Sequence, residues 1–388
     1  MELLAFVAPL VLLCSFISPV HSLYEFATWT YLTFENITSS NYIPDYVIFT
    51  GIQATSSRCF LSIPRLFPGV PVTLATIPST GGPYKNKDLK PFPNLEYQLG
   101  FADQCQSLVS VHRSRLDSCG LLWVLDTGSI NALDYFSQIC PPKLVVFDAS
   151  TGVEVFRIVI PENVLRQDSL LVSMAMDRRG TTKLLTCPQA EELVIYISDV
   201  TGGIIVYDHS TRTFWRQEHP TFKPDPKFAS ITMNGEYFYQ EEGILGMHVG
   251  LLRMQTKVLY YQPFSSKNIY AVRTDSLLIK DNANLAVETI YEKSSQGAGL
   301  TVDAFGRVVF SPVKENSIQV LNTVTNRTLL LAQDDEKLQF VADFSYDSAD
   351  TLWMISNKYQ SFINRYYSKD GINLRILRIP FSQQFRVV

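Results

Sequence analysis

The sequence has 388 residues, with 33 Lys and Arg against 37 Asp and Glu, a formal net charge of −4. That balance offers no basic surface able to track a nucleic-acid backbone. The 24 Phe and 19 Tyr, with Val, Ile and Thr in short alternating runs and no helical periodicity held over three turns, favour an all-β chain.

The first element is an apolar stretch, residues 3–20, followed by Val20-His21-Ser22, whose small residues suit signal peptidase. Residues 1–22 therefore read as a removed signal, although the start carries Glu2 and no Lys or Arg. No later run approaches the roughly 18 apolar residues of a spanning helix, so the mature chain is expected to be secreted and free of the membrane.

The mature chain repeats one unit, a strand, a tight turn and a second strand. The turns are Ser56-Ser-Arg58, Asp117-Ser-Cys-Gly120, Asp177-Arg-Arg-Gly180, Met233-Asn-Gly235, Asp303-Ala-Phe-Gly306 and Asp347-Ser-Ala-Asp350. Strands such as LLWVLD, TTKLLT, EYFYQ, RVVFSP and TLWMIS follow them. Six copies spaced about 44–71 residues apart predict a six-bladed β-propeller, which buries blade faces against one another and leaves only short edges. The turn aspartates are read as structural, because Asp bonds its own backbone in such turns. Residues 23–32 or 374–379 are expected to close the ring. No linker composition divides residues 23–388, which are read as a single domain.

Five cysteines remain after the signal. The expected bridges are Cys105 with Cys119 and Cys140 with Cys187, which leaves Cys59 free or paired between chains, although spacing alone does not establish connectivity. Asn36-Ile-Thr38 and Asn326-Arg-Thr328 are glycosylation sequons.

If the strand before each turn lines the channel, the ends of the second strands share one rim. Asp126-Thr127, Glu241-Glu242, Glu315-Asn316 and Asn357-Lys358 then gather at a mouth, with Asp343 and Phe344 on the last inner strand. Carboxylates, an amide and the aromatics Phe344, Tyr359 and Phe362 suit a small aromatic amine. The candidate ligand residues are Asn357, Asp343, Phe344, Asp126 and Glu241. No nucleophile elbow, phosphate loop or metal spacing is present, and no metal or cofactor is expected. His112 is the histidine placed on an inner strand.

The segments NYIPDYVIFTGIQ (41–53), FLSIPRLFPGVPVTLATIP (60–78), CGLLWVLDTG (119–128), CPPKLVVFD (140–148) and YISDVTGGIIVYD (196–208) resemble the insect yellow/major royal jelly family. The family's known structures are six-bladed propellers. The resemblance implies a secreted protein binding a biogenic amine or catechol, with Asn357 of LWMISNK matching an amine contact and a further contact near Ala342-Asp343. It also implies two alternatives. One is dopachrome conversion in melanin formation, with Asp343, Glu241 or His112 as base. The other is a structural role in eggshell or cuticle, with extracellular matrix proteins as partners. Asp45-Tyr46 and Cys59 depart from the family pattern.

Overall fold

The computed structural model describes residues 23–37, 41–99, 103–179, 192–280 and 282–380. Six sheets form the blades of a propeller, five of them with four antiparallel strands and the closing one with a fifth, the short Tyr84–Lys85, paired parallel to Tyr24–Trp29. Their inner strands are Gly51–Ala54, Val111–Leu116, Leu171–Arg178, Ile244–Leu252, Leu300–Val302 and Val341–Tyr346. Second strands such as Leu121–Asp126 and Thr351–Asn357 are buried almost throughout and read as mostly apolar runs, whereas the equally buried inner strands carry polar residues such as those of Val111–Leu116. Outermost strands such as Glu154–Val159 and Arg327–Gln333 keep exposed positions.

Both expected closing segments are used. Leu374–Pro380 is the third strand of the last blade, and Tyr24–Trp29 pairs antiparallel with it as the fourth. The two chain ends are thereby sewn into one sheet, which removes the open edges where the ring closes.

The turn aspartates behave as the repeat implies. Asp117 accepts from the N–H groups of Cys119 and Leu121 and from Trp123 Nε1, at 2.8–3.0 Å. Asp347 repeats this with Ala349, Thr351 and Trp353 at 2.8–2.9 Å. Asp303 holds the N–H groups of Phe305 and Arg307 at 2.9 Å.

The fourth copy is corrected by the structure. Ser230–Met233 and Glu236–Tyr239 form a separate two-stranded hairpin, not a blade. The true fourth blade turns at Arg253 and Met254, which adopt left-handed φ values of 50° and 62°. A turn of that shape normally advertises itself with Asn or Gly. Here neither is present, so the hairpin's Asn234-Gly235 gave the stronger signal. In the third blade the second strand is Leu193–Asp199, and TTKLLT lies outside the described residues.

The disulfide pairing is also corrected. Cys105 bonds Cys140, across 35 residues, Cys119 is itself disulfide-bonded, and Cys187 lies outside the described residues. The pairing follows from Gly128. Its positive φ and its carbonyl, which accepts the N–H groups of Ile139 and Cys140, fold the 129–139 loop back so that Cys140 returns beside the blade. A Cβ at Gly128 would meet the Cys140 carbonyl oxygen at 2.0 Å. Cys59 is a free thiol, fully buried in the first blade and pushed up in pKa by that burial, hence unreactive. Asn36 and Asn326 are exposed in left-handed turns. The signal segment lies outside the described residues, and among the described residues no helix is long and apolar enough to cross a membrane.

Candidate functional site

The channel is closed at mid-height by ions. Asp343 receives Arg115 through two hydrogen bonds of 3.0 and 3.1 Å and Arg113 at 3.0 Å, with all three side chains largely buried. It also accepts the Ile52 N–H at 3.1 Å, which ties the last blade to the first. Burial alone would push the Asp343 carboxyl up, but the two guanidiniums outweigh it and hold the group below the usual carboxylate range. The triad divides the channel into an upper cavity, at the end where inner strands begin, and a lower one at the hairpin turns.

The upper cavity has a volume of about 60 Å³ and draws on all six blades. Thr50, His112, Val172, Leu245, Ala298 and Ala342 form its walls, Arg113 its floor, and Leu66, Leu133 and Tyr359 its roof. One carboxyl faces it, that of Glu242. Burial pushes this group up to about 7, partly countered by a hydrogen bond from Gln240. Gln240 accepts the Tyr359 hydroxyl at 2.6 Å, and the Tyr359 ring stacks on Phe340 with centroids 4.3 Å apart. His112 has no partner for Nε2, and burial drives its pKa down to about 3, so the imidazole is neutral.

The hairpin that mimicked a blade positions Glu242. Its second strand alternates, with Phe238 buried between the outward-facing Tyr237 and Tyr239. That alternation continues through buried Gln240, exposed Glu241 and inward Glu242. Phe238 packs edge-on to Tyr359 at 5.8 Å, and Glu236 accepts Ser361 and Tyr366 hydroxyls, which anchors the hairpin over the mouth. Sequence reasoning named the Glu241-Glu242 pair and chose Glu241. The period-two pattern from Tyr237 onward was the signal that separates them.

The five candidate ligand residues do not converge on this cavity. Glu241 is exposed and accepts the Tyr239 hydroxyl at 2.5 Å. Asp126 sits at the top of the second blade, where Lys143 pairs with it at 3.0 Å and the N–H groups of Val109, Ser110 and Gly128 bond it. Asp343 belongs to the triad. Phe344 lines the lower cavity. Asn357 stands one layer behind the upper wall: its N–H bonds the Phe340 carbonyl and its Nδ2 the Phe49 carbonyl at 3.2 Å, while Oδ1 is buried without a partner. Of the other rim residues, Glu315 accepts Ser295, and Asn316 Nδ2 donates to Asn234 of the hairpin.

A residue absent from the candidate set holds the mouth together. Arg65, within PRLFPGVP, donates to the carbonyls of Val70, Pro71, Gln98, Leu108 and Val109. Burial pushes its guanidinium down to about 10. It ties the loop bearing Leu66 to the second blade. Among the described residues no group of three or more His, Cys, Asp or Glu is arranged to hold a metal.

Residues 109–387 match the family model described as Major royal jelly protein. The chain is 30% identical over 364 residues to Major royal jelly protein 1 of Apis mellifera, covering 86% of this chain and 79% of that protein. It is 27% identical over 391 residues to the Dopaminechrome tautomerase of Drosophila melanogaster, covering 92% and 82% respectively. Protein yellow of Drosophila melanogaster is 25% identical over 399 residues, 96% of this chain and 72% of that one. With a family model that spans five of its six blades and a relative 30% identical over most of its length, the chain belongs to the yellow/major royal jelly protein family.

Proposed function

We propose that this protein is a secreted binder of a small aromatic amine or catechol-derived cation, held in the upper cavity with its ammonium on Glu242. The observation that carries this reading is one ionisable carboxyl beside the Phe340–Tyr359 stack in an otherwise largely apolar pocket. A carboxylate there gains most from a cation, and the ring faces favour an aromatic body. The void holds about two waters, at roughly 30 Å³ each. Entry therefore requires the Leu66 and Leu133 side chains to swing aside. Asn357 acts by fixing the Phe340 wall. Disulfides at Cys105–Cys140 and at Cys119 support an oxidising compartment, in keeping with the signal read in residues 1–22 and with the sequons at Asn36 and Asn326.

A second reading uses the same acid. A carboxyl near 7 can take and return a proton at neutral pH, which suits tautomerisation of an aminochrome, and one relative is named a dopaminechrome tautomerase. Neutral His112 would then accept a hydrogen bond from the substrate. Calorimetry with dopamine and serotonin, run beside a spectrophotometric assay of dopaminechrome loss, separates the two. Binding without turnover that is lost in Glu242→Gln supports the first, and turnover lost in the same variant supports the second. Unchanged binding and no turnover in that variant sink both.

A further inference from the structure

Below the triad the channel opens into a cavity of about 390 Å³, far larger than the upper one and within the usual size of ligand pockets. All six inner strands contribute to it. Arg115 forms part of its ceiling, but its guanidinium is committed to Asp343. His248 is not committed in the same way. Its Nδ1 lies 2.8 Å from the Val249 carbonyl oxygen, which only accepts, so Nδ1 carries the proton and Nε2 presents a lone pair. Burial lowers the pKa of the ring to about 4, which keeps it neutral. Nε2 has no hydrogen-bond partner among the described residues, nor does the Thr301 hydroxyl, which lines the same space.

We propose that this lower cavity is a second ligand site, taking a small organic ammonium with an apolar or aromatic body. The polar groups left open are His248 Nε2 and the Thr301 hydroxyl, one an obligate acceptor and the other able to accept. Of the five aspartates on the lower rim, Asp177 pairs with Lys257 and Asp303 with Arg307, each at 2.7 Å, while Arg115 and Arg178 pair with Asp343 and Glu192, which leaves Asp117, Asp347 and Asp350 as the rim carboxylates without an ion pair among the described residues. Such a field repels anions and draws cations. Phe344 and Met176 offer a ring face and a soft apolar wall for the rest of the ligand. Because the Arg113–Asp343–Arg115 triad stands between the two cavities, this site owes nothing to Glu242 and does not rest on the function proposed for the upper one.

The test is a calorimetric titration with serotonin of the full-length secreted protein and three variants. Met176→Trp fills the lower cavity, Thr301→Val removes one acceptor at constant shape, and Glu242→Gln disables the upper site. The proposal expects two equivalents bound by the wild type, one retained by Glu242→Gln, and loss of that retained equivalent on adding Met176→Trp. Thr301→Val should weaken the Glu242-independent equivalent about fivefold, the worth of one ordinary hydrogen bond. If Met176→Trp fails to fold, Thr301→Val decides alone. A single equivalent lost in Met176→Trp but kept in Glu242→Gln supports the lower site and removes the upper. A single equivalent untouched by Met176→Trp and Thr301→Val, or no binding at all, overturns the proposal.

Discussion

If Glu242 is the counter-charge for an amine, affinity must follow its ionisation. Its carboxyl is pushed up to about 7 by burial. An aliphatic ammonium stays protonated well above that, with lysine near 10.4 as the reference. Only the carboxylate pairs with the cation, and that form rises from about a tenth of molecules at pH 6 to about nine-tenths at pH 8. Serotonin affinity should therefore increase roughly tenfold over those two pH units, or about 1.4 kcal/mol. Glu242→Gln should bind weakly and with no slope. Calorimetry at pH 6, 7 and 8 on both proteins reads this directly. The same acid makes a stability prediction of definite sign. Its proton is held more tightly in the fold than in the unfolded chain, so stability is highest below about pH 4.5 and is lost as pH rises towards 7. Thermal melts should place Glu242→Gln above the wild type at pH 8 and level with it at pH 4.5. An affinity independent of pH, or a variant that binds as well as the wild type, refutes Glu242 as the counter-charge.

Three further outcomes are expected. Asp343→Asn leaves two buried guanidiniums without their anion and should cost about 3–5 kcal/mol, seen as a lower urea midpoint; an unchanged midpoint would mean the triad is solvated. His112 and His248, with pKa values lowered to about 3 and 4, oppose Glu242 in sign. The unfolded chain takes protons that the fold refuses, so stability contributed by these rings is lost as pH falls from about 6.5, and His112→Phe should flatten that part of the melting profile. Asn357→Ala removes the tie to Phe49 and should lower stability by about 1 kcal/mol, while weakening serotonin less than Glu242→Gln does; loss of binding equal to that variant's would make Asn357 a direct ligand contact instead.

The fold was legible because a propeller writes its repeat into the chain. Asp117 and Asp347 each appear four residues before a second strand and six before a tryptophan, and both bonds are made in the structure. Five of the six inner strands followed from the same repeat, and the closing segments from the need of the two chain ends to close the ring. The fourth blade was hidden because its turn uses Arg253 and Met254 in a left-handed conformation that glycine or asparagine would occupy at lower cost. Tertiary packing of Leu252 and its neighbours determines that turn, and packing leaves no local mark.

The site was legible only to the level of a rim. Glu241 and Glu242 were placed at the mouth as the end of a blade strand that is in fact a hairpin strand, and which of two adjacent carboxyls turns inward depends on one step of alternation. That step was obscured while the hairpin passed for a blade. Asp343 sat on the right strand and in the right channel, yet no sequence pattern shows that Arg113 and Arg115, more than two hundred residues earlier, arrive to neutralise it. A buried carboxylate that finds two guanidiniums becomes a strut, and one that finds only an amide and a ring keeps a raised pKa and a use for a cation. Asp343 and Glu242 differ in that one respect, which makes the first a strut and leaves the second as the counter-charge that the proposed function requires.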